Sequence, residues 1–462
     1  MIPVVEELGG LPAPHVVFAG LWQRPGAFLL ESALEEPGRE AYSIIGFEPP
    51  LGLRAEGLDL RWTERGRVRR ERGPVHEAVR AVLDRHRAAP APGGLPFAGG
   101  AVGYWSYEAG AAWEQVVSRS EEGGGAADVE LGFYDGALLY AHATGRWFAV
   151  ATPVFRRTAA TILKALRSAA AAWADHDPEG WRRVALTMEP RSFGTREDYL
   201  RGVEAIRRYI ASGDVYQVNL SQRFDAAAVV DPYALYQRLR RRSPAPFASF
   251  LTTDFGHVVS CSPERFLRVR GRAVETRPIK GTRPRGRDAA EDARLAAELR
   301  ASAKERAELL MIVDLERNDL GRVCVPGSVA VPELYRVETH PTVFHLVATV
   351  TGQLRPGVGP LELLQAAFPG GSITGAPKIR AMQIIREIEP VRRGVYTGSI
   401  GYLGFDGDCD LNIAIRTLVC TRRATSYHVG AGIVWDSDPA SEYEETLAKG
   451  RALREALIGA AP

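Results

Sequence analysis

Lysine is scarce in this chain. Among 58 Lys and Arg residues only five are lysine: Lys164, Lys280, Lys304, Lys378 and Lys449. Arginine serves wherever a fixed positive charge suffices. A lysine kept among so many arginines suggests work that a guanidinium cannot do, because only an amine can lose its proton and attack. Cysteine is scarce as well. Cys261, Cys324, Cys409 and Cys420 show no CxxC spacing and sit in apolar or strand-like stretches, which argues against a disulfide framework or a zinc site and for reduced thiols in the cytoplasm. No uncharged apolar run approaches the length of a membrane span, and the first ten residues lack the basic and apolar regions of a signal peptide. The net charge of +2 gives no overall field toward nucleic acid or anionic lipid. The local cluster Arg65, Arg67, Arg69, Arg70 and Arg72 reads as a solvated hairpin edge beside Gly66 and Gly73. Neither a nucleic-acid nor a membrane partner is expected.

What is present is ordinary globular composition, 45% hydrophobic and 25% charged, over a length that can bury a large core. Strands and helices alternate without regular βαβ order, so the fold class is α+β. A first unit, residues 1–185, carries short strand-like runs at 27–32, 41–47, 101–107, 131–140 and 147–152, with helices at 74–87 and 158–174. A polar, Pro-containing stretch follows. The second unit, residues 194–462, opens with Thr195-Arg196-Glu197-Asp198, a capping box ahead of a helix that Gly213 stops. Residues 215–224 alternate, with Gln217, Asn219 and Ser221 on a wholly polar face suited to lining a cavity. A hairpin turns at Gly271. Residues 288–315 read as one long helix, 394–435 as a three-stranded meander, and 441–458 as the closing helix.

Several constellations carry chemistry. Lys280 lies in Arg277-Pro278-Ile279-Lys280-Gly281 at a strand end. Glu264, in Ser262-Pro263-Glu264-Arg265-Phe266, begins the neighbouring hairpin strand. Glu305 and Glu308 share a helix face, as do Glu442 and Glu445. Four carboxylates on two helix faces suit a hard divalent cation, and Mg²⁺ needs only one or two of them together with water and a substrate oxygen. The loop Phe368-Pro369-Gly370-Gly371-Ser372-Ile373-Thr374-Gly375 runs into a helix, where backbone N–H groups favour an anion. It is not a P-loop, so a nucleotide is not indicated. Arg416 reads as a carboxylate clamp on the polar face of a strand over 411–419. Gly430-Ala431-Gly432 on the next strand lets a ligand approach the backbone closely. Together these residues describe a cavity for a small, multiply anionic molecule.

The same residues resemble a family. Gly213-Asp214-Val215-Tyr216-Gln217-Val218-Asn219-Leu220, the Ser-Pro-Glu-Arg-Phe and Pro-Ile-Lys-Gly-Thr stretches, Asp314-Leu315-Glu316-Arg317-Asn318-Asp319, residues 369–378 and Gly430-Ala431-Gly432-Ile433-Val434 are similar, in order, to the chorismate-utilising enzymes. That group includes anthranilate synthase component I, aminodeoxychorismate synthase component I, and the isochorismate and salicylate synthases. The resemblance implies an anthranilate synthase component I-like fold, with large mixed or antiparallel sheets packed as a sandwich and flanked by helices. Members that use water as nucleophile carry a lysine where this chain has Gln217, and anthranilate synthases usually carry Ala where it has Lys280. Lys280 therefore resembles the aminodeoxychorismate synthase component I pattern.

The implied chemistry is amination of chorismate at C4, on the route to 4-aminobenzoate and folate. Glu308 and Glu445 would hold Mg²⁺, with Glu305 and Glu442 acting through water. Glu264 would be the general acid as the C4 hydroxyl leaves, and Lys280 a covalent nucleophile at C2 that ammonia then displaces. Thr374, Gly375, Tyr402, Arg416, Gly430, Ala431, Gly432 and His345 match substrate-contact or active-site positions of the family. Ammonia is expected from a separate glutamine amidotransferase subunit, and pyruvate release from a downstream lyase. Leu29-Leu30-Glu31-Ser32 resembles the tryptophan-site motif of anthranilate synthases, so Leu30, Glu31 and Ser32 are candidates for a tryptophan site. The alternatives are anthranilate synthase component I, aminating C2, and a non-catalytic ligand-binding or regulatory homologue.

Overall fold

The computed structural model describes residues 1–34, 40–114, 116, 126–177, 179–183, 188–229, 231–340 and 343–459. Two twelve-stranded sheets, antiparallel at each ladder, dominate it. The first runs Val4–Leu8, Arg146–Ala151, Gly136–Ala141, Tyr42–Gly46, Phe28–Glu31, Phe247–Thr252, Gly256–Ser262, Thr417–Thr421, Ala424–Ile433, Gln217–Ala227 and Arg191–Ser192. The short strand Gly375–Ala376 also pairs with Gln217–Ala227. The second runs Ile279–Pro284, Val343–Gln353, Ala273–Arg277, Arg265–Arg270, Cys409–Asn412, Ser399–Gly404, Gly100–Trp105, Val129–Tyr134, Leu51–Glu56, Asp59–Glu64 and Arg67–Arg72. Ala330–Thr339 also pairs with Val343–Gln353. This is the expected α+β sandwich.

The stretches on either side of residues 185–194 do not build separate sheets. Phe28–Glu31 pairs with Phe247–Thr252, and Gly100–Trp105 pairs with Ser399–Gly404, so each sheet is shared. Residues 184–187, within the stretch taken as the boundary, lie outside the described residues.

The packing follows the sequence pattern. Between the sheets, Phe28, Ile44, Leu139 and Val258 of the first meet Val102, Tyr104, Tyr134 and Ile400 of the second. Phe28 and Tyr134 pack edge to face, 4.8 Å between ring centroids. Behind the first sheet, Phe250 meets Phe18, Tyr233 and Tyr236, and each such ring buried contributes about 1.5–3 kcal/mol. Behind the second, Leu346 and Leu267 pack with Leu309, Val313 and Leu364 of flanking helices. The four cysteines are buried and unbridged. The arginine cluster falls on Arg67–Arg72, an exposed edge strand paired with Asp59–Glu64, as a solvated hairpin requires. The Thr195 capping box forms: Thr195 accepts from the Asp198 amide at 3.1 Å, and Asp198 accepts from the Thr195 amide at 2.9 Å.

Four local expectations are corrected. The stretch 131–140 is two strands, Val129–Tyr134 and Gly136–Ala141, in different sheets. The helix over 288–315 is two, Ala289–Ala301 and Ala303–Gly321, separated by Ser302 in an extended conformation. The meander over 394–435 is four strands divided between the sheets: Ser399–Gly404 and Cys409–Asn412 lie in the second, Thr417–Thr421 and Ala424–Ile433 in the first. The strand over 411–419 therefore breaks at 413–416, where the chain crosses. There the backbone bonds to loops instead of a ladder, Ile413 to Glu264 at 3.0 Å and Ala414 to Gly398 at 2.9 Å, and Arg416 takes φ +51°.

Candidate active site

Lys280 lies on the Ile279–Pro284 strand at the margin of the second sheet, and its Nζ donates to the Ser372 carbonyl at 3.1 Å. Ser372 belongs to a turn of 3-10 helix, Gly371–Ile373, within the glycine-rich loop. Burial pushes the ammonium below its ordinary range. Glu308, Glu264 and Glu445 oppose this, and Lys449 reinforces it. The amine is thus desolvated and crowded by another cation, two conditions that favour a neutral lysine.

Glu264 is 4% exposed. Its Oε1 accepts from the Ile279 amide at 3.4 Å. Burial raises its carboxyl to about 7, partly offset by Ser372 and Lys280. A carboxyl titrating near neutrality beside a depressed amine suits proton transfer.

Two helices bring the four glutamates toward Lys280. Glu305 and Glu308 lie in the first turns of Ala303–Gly321, and Glu442 and Glu445 in the first turns of Pro439–Ile458. Glu308 is held above the usual carboxylate range by burial, against the pull of Lys280 and Lys304, with Glu305 and Glu445 adding to the rise. Glu442 is raised by burial too, although its Oε1 accepts from Ser437 at 2.7 Å. Burial opposes ionisation of Glu445, but the Lys449 ammonium, 2.7 Å away, holds it low. Glu305 takes Arg283 at 3.3 Å and packs on Gly281, where an added Cβ would come within 2.9 Å of its Oε2. Among the described residues no three acidic, His or Cys side chains close to metal-ligand spacing. The set is all oxygen, and its members raise one another's proton affinity. Mg²⁺, which keeps several waters and takes one or two carboxylates, fits such a set.

The remaining candidates fall into two places. Thr374 is fully buried and donates to the Gly370 carbonyl at 2.9 Å, while its own carbonyl accepts from the Asn219 amide. Gly375 has φ +142°, and a Cβ there would strike the Gln217 carbonyl at 2.1 Å, so only glycine fits. Gly430, Ala431 and Gly432 pair with Ser221, Leu220 and Asn219, and a Cβ on Gly432 would come within 2.1 Å of the Gln217 Nε2. The Gln217 Oε1 atom is buried with no protein partner among the described residues, and the Asn219 side chain bonds the Tyr396 hydroxyl. His345 is 3% exposed, bonded to Thr282 Oγ1 at 3.0 Å, and kept neutral by burial and by Arg416. Arg416 reaches Ser243 Oγ at 3.3 Å and has no carboxylate partner among the described residues. A part-buried guanidinium in that condition is suited to receiving an anion.

Tyr402 is not with this group. It lines a cavity of about 110 Å³ together with Leu30, Glu31 and Ser32. The sequence reading thus gathered two sites into one. Within the second cavity, Glu31 is already engaged by Arg240 at 2.9 Å and by Tyr236 at 2.5 Å.

Sequence reasoning missed Tyr396 and Lys449. Tyr396 stacks on His428, 5.3 Å between centroids, and its hydroxyl stands 2.9 Å from where a Gly430 Cβ would be. No periodicity marks it, because it lies in a turn. Lys449 donates to the Gly430 carbonyl at 3.1 Å. Its signal was present in the scarcity of lysine. Lys280, Lys304 and Lys449 all act on these carboxylates, and Lys378 is buried nearby against Asp319 at 2.7 Å.

A family profile described as chorismate binding enzyme matches residues 31–455. Aminodeoxychorismate synthase component 1 of Salmonella typhimurium is 44% identical over 97% of this chain and 96% of its own. Anthranilate synthase component 1 of Streptomyces coelicolor is 39% identical over 99% and 89%. Among solved structures, anthranilate synthase component I of Streptococcus pneumoniae superposes with a TM-score of 0.80 at 31% identity, covering 91% and 93%. The menaquinone-specific isochorismate synthase of Escherichia coli shares the fold, with a TM-score of 0.74 at 17% identity over 98% and 94%. With the profile spanning most of the chain and relatives this similar over nearly all of it, the chain belongs to the chorismate-binding enzymes.

Proposed function

We propose that this chorismate-utilising enzyme aminates chorismate at C4, giving 4-amino-4-deoxychorismate. The observation that carries this reading is Lys280: a part-buried amine, held on the Ser372 carbonyl, within reach of the influence of Glu264, Glu308 and Glu445. Neutral Lys280 attacks C2 of the ring through its lone pair. The two conjugated ring double bonds shift, and the C4 hydroxyl departs as water with the proton that Glu264 carries. Ammonia then adds at C4, the double bonds shift back, and the C2–Nζ bond breaks, with Glu264 taking the proton ammonia sheds. No oxidant is needed, and Lys280 and Glu264 end as they began.

Glu308 and Glu445 would hold Mg²⁺, with Glu305 and Glu442 reaching it through water; the ion would neutralise and orient a substrate carboxylate. Arg416 receives the other carboxylate. Thr374, Gly375 and the 430–432 backbone wall the ring, while Gln217 supplies no base for water. Ammonia comes from a glutamine amidotransferase partner, and a separate lyase completes 4-aminobenzoate. The relatives of both names are similarly identical, so identity does not choose between them.

The experiment is product identification from chorismate, Mg²⁺ and ammonium with added lyase. The expected product is 4-aminobenzoate; accumulation of anthranilate would overturn the reading. Anthranilate synthase is the second reading, favoured by the cavity that Leu30, Glu31 and Ser32 line. Anthranilate formation inhibited by tryptophan would establish it.

A further inference from the structure

One edge of Gln217–Ala227 is covered by two short strands that leave a gap between them. Gly375–Ala376 pairs with residues 217 and 218, and Arg191–Ser192 with residues 224 and 225. Along an antiparallel strand, every second residue turns both its backbone groups to the same edge. Here these are Asn219, Ser221 and Arg223. The Asn219 amide donates to the Thr374 carbonyl at 2.9 Å, and the Arg223 carbonyl accepts from the Phe193 amide at 2.9 Å. Between them the strand bonds to side chains. Arg393 Nη2 donates to the Asn219 carbonyl at 2.6 Å, and Glu389 Oε1 accepts from the Ser221 amide at 2.7 Å. The ion pair stands where a neighbouring strand would, the guanidinium as its N–H and the carboxylate as its carbonyl.

Both side chains are buried, 1% exposed for Arg393 and 4% for Glu389. Arg393 Nε and Nη2 bind the two Glu389 oxygens at 2.9 and 2.7 Å. Nη1 donates to the Ile373 carbonyl at 2.9 Å and reaches Thr397 Oγ1 at 3.4 Å. From behind, the amides of Arg393 and Gly394 donate to Glu108 at 2.9 and 3.0 Å. All five guanidinium N–H groups are thus engaged, on acceptors that three lysine N–H groups on one nitrogen could not serve. A buried ion pair is often no more stable than an apolar pair of the same volume. It does something an apolar pair cannot, because it holds two main-chain segments at once. Ile373 follows Ser372, whose carbonyl accepts from Lys280, and precedes Thr374, whose carbonyl accepts from Asn219. One planar fork ties the turn that carries the Lys280 acceptor to the strand whose polar face lines the site.

We propose that Arg393, braced by Glu389, is a positioning residue for Lys280: it fixes the Gly371–Ile373 turn against Gln217–Ala227, and with it the Ser372 carbonyl on which the Lys280 amine is held. The inference rests on Lys280 as the attacking group and adds the residue that aims it.

The test is steady-state consumption of chorismate, with Mg²⁺ and ammonium, by R393K, R393A and E389Q beside the wild type. Each is measured well below its own melting temperature, after near-UV circular dichroism has shown native packing. R393K should lower kcat by about ten- to a hundredfold, the scale of a misplaced reacting group. Its KM for chorismate should stay within about threefold of wild type, since Arg416 and the glutamates are untouched. E389Q keeps an acceptor for the Ser221 amide but loses the charge that braces the fork, and should lower kcat by a smaller factor. Guanidinium chloride, added to R393A below denaturing concentrations, should restore part of the lost kcat, and sodium chloride at equal ionic strength should not. A folded R393K with unchanged kcat would overturn the proposal. So would a raised KM at unchanged kcat, which would place Arg393 in substrate binding. If neither position 393 variant folds, E389Q decides, and an unchanged kcat there is equally fatal. An active Lys280→Ala protein would sink the underlying reading whatever these variants do. Full rate in R393K beside an inactive Lys280→Ala protein would sink the positioning role alone.

Discussion

Glu264 and Lys280 set the two protonation states on which the proposed chemistry turns. Lys280→Ala should remove amination at C4, and Lys280→Arg should not restore it, because a guanidinium has no free electron pair at neutral pH. Measured product formation that persists in either variant would show that another group attacks. Glu264→Gln should lower kcat by about 10²–10⁴, the usual worth of a positioned acid. The same substitution bears on stability. Folding raises the Glu264 carboxyl from 4.5 to about 7. Its protonated form therefore favours the folded state below pH 4.5, and that advantage is lost as pH rises through about 7. Above that point the wild type buries a charge that Gln does not. Glu264→Gln should then be the more stable protein at pH 8, by roughly 3 kcal/mol at most, and no more stable at pH 4. Thermal unfolding at the two pH values decides it. At this scale the sequence was informative wherever chemistry needed an unusual residue. A lysine among arginines and an acid between Pro and Arg stand out. Tyr402 and Tyr396 do not, because an aromatic residue serves a cavity wall and a core equally well.

The elements carrying the metal candidates depend on short polar signals. Ser302 ends Ala289–Ala301 and begins Ala303–Gly321, and its hydroxyl accepts from the Glu305 amide at 3.4 Å. The signal was in the sequence, as Ser302-Ala303-Lys304-Glu305, the S-x-x-E pattern of a helix start. It was hidden by high helix propensity on both sides, which reads as continuity. Breaking the helix there redirects its second half, so that Glu305 and Glu308 face Lys280 and Gly281. Ser302→Ala should cost about 0.5–2 kcal/mol of stability and raise the Mg²⁺ concentration needed for half-maximal activity, while saturating Mg²⁺ restores most of the rate. Denaturant unfolding and a Mg²⁺ titration measure the two effects; a loss of rate that Mg²⁺ does not restore would mean the turn does not serve the metal site. The break at 413–416 was less legible. Ile413-Ala414-Ile415-Arg416 alternates as a strand does, yet its backbone bonds go to loops at 264 and 398, and those partners lie far away in sequence.

The whole molecule is tied together by those distant partners. A composition shift near 185–194 separates two stretches of sequence, but the hydrogen bonds of both sheets cross that boundary. Phe28–Glu31 lies between Tyr42–Gly46 and Phe247–Thr252, and Gly100–Trp105 lies between Val129–Tyr134 and Ser399–Gly404. Removing residues 1–185 would bare the edges of Phe247–Thr252 and Ser399–Gly404, both apolar and buried, as unpaired strands, and exposed apolar edges pair with other chains. The pairing partners of a strand are set by long-range contacts, which local pattern does not encode, so this sharing was not legible beforehand. It predicts that the protein unfolds as one cooperative unit despite its length. Calorimetry should show a single transition, coincident with loss of near-UV circular dichroism. The fragment 194–462 produced alone should aggregate instead of turning over chorismate. Two resolved transitions, or a soluble active fragment, would show that each half closes its own core and that the strands joining the halves contribute little to holding Lys280 and its carboxylates in place.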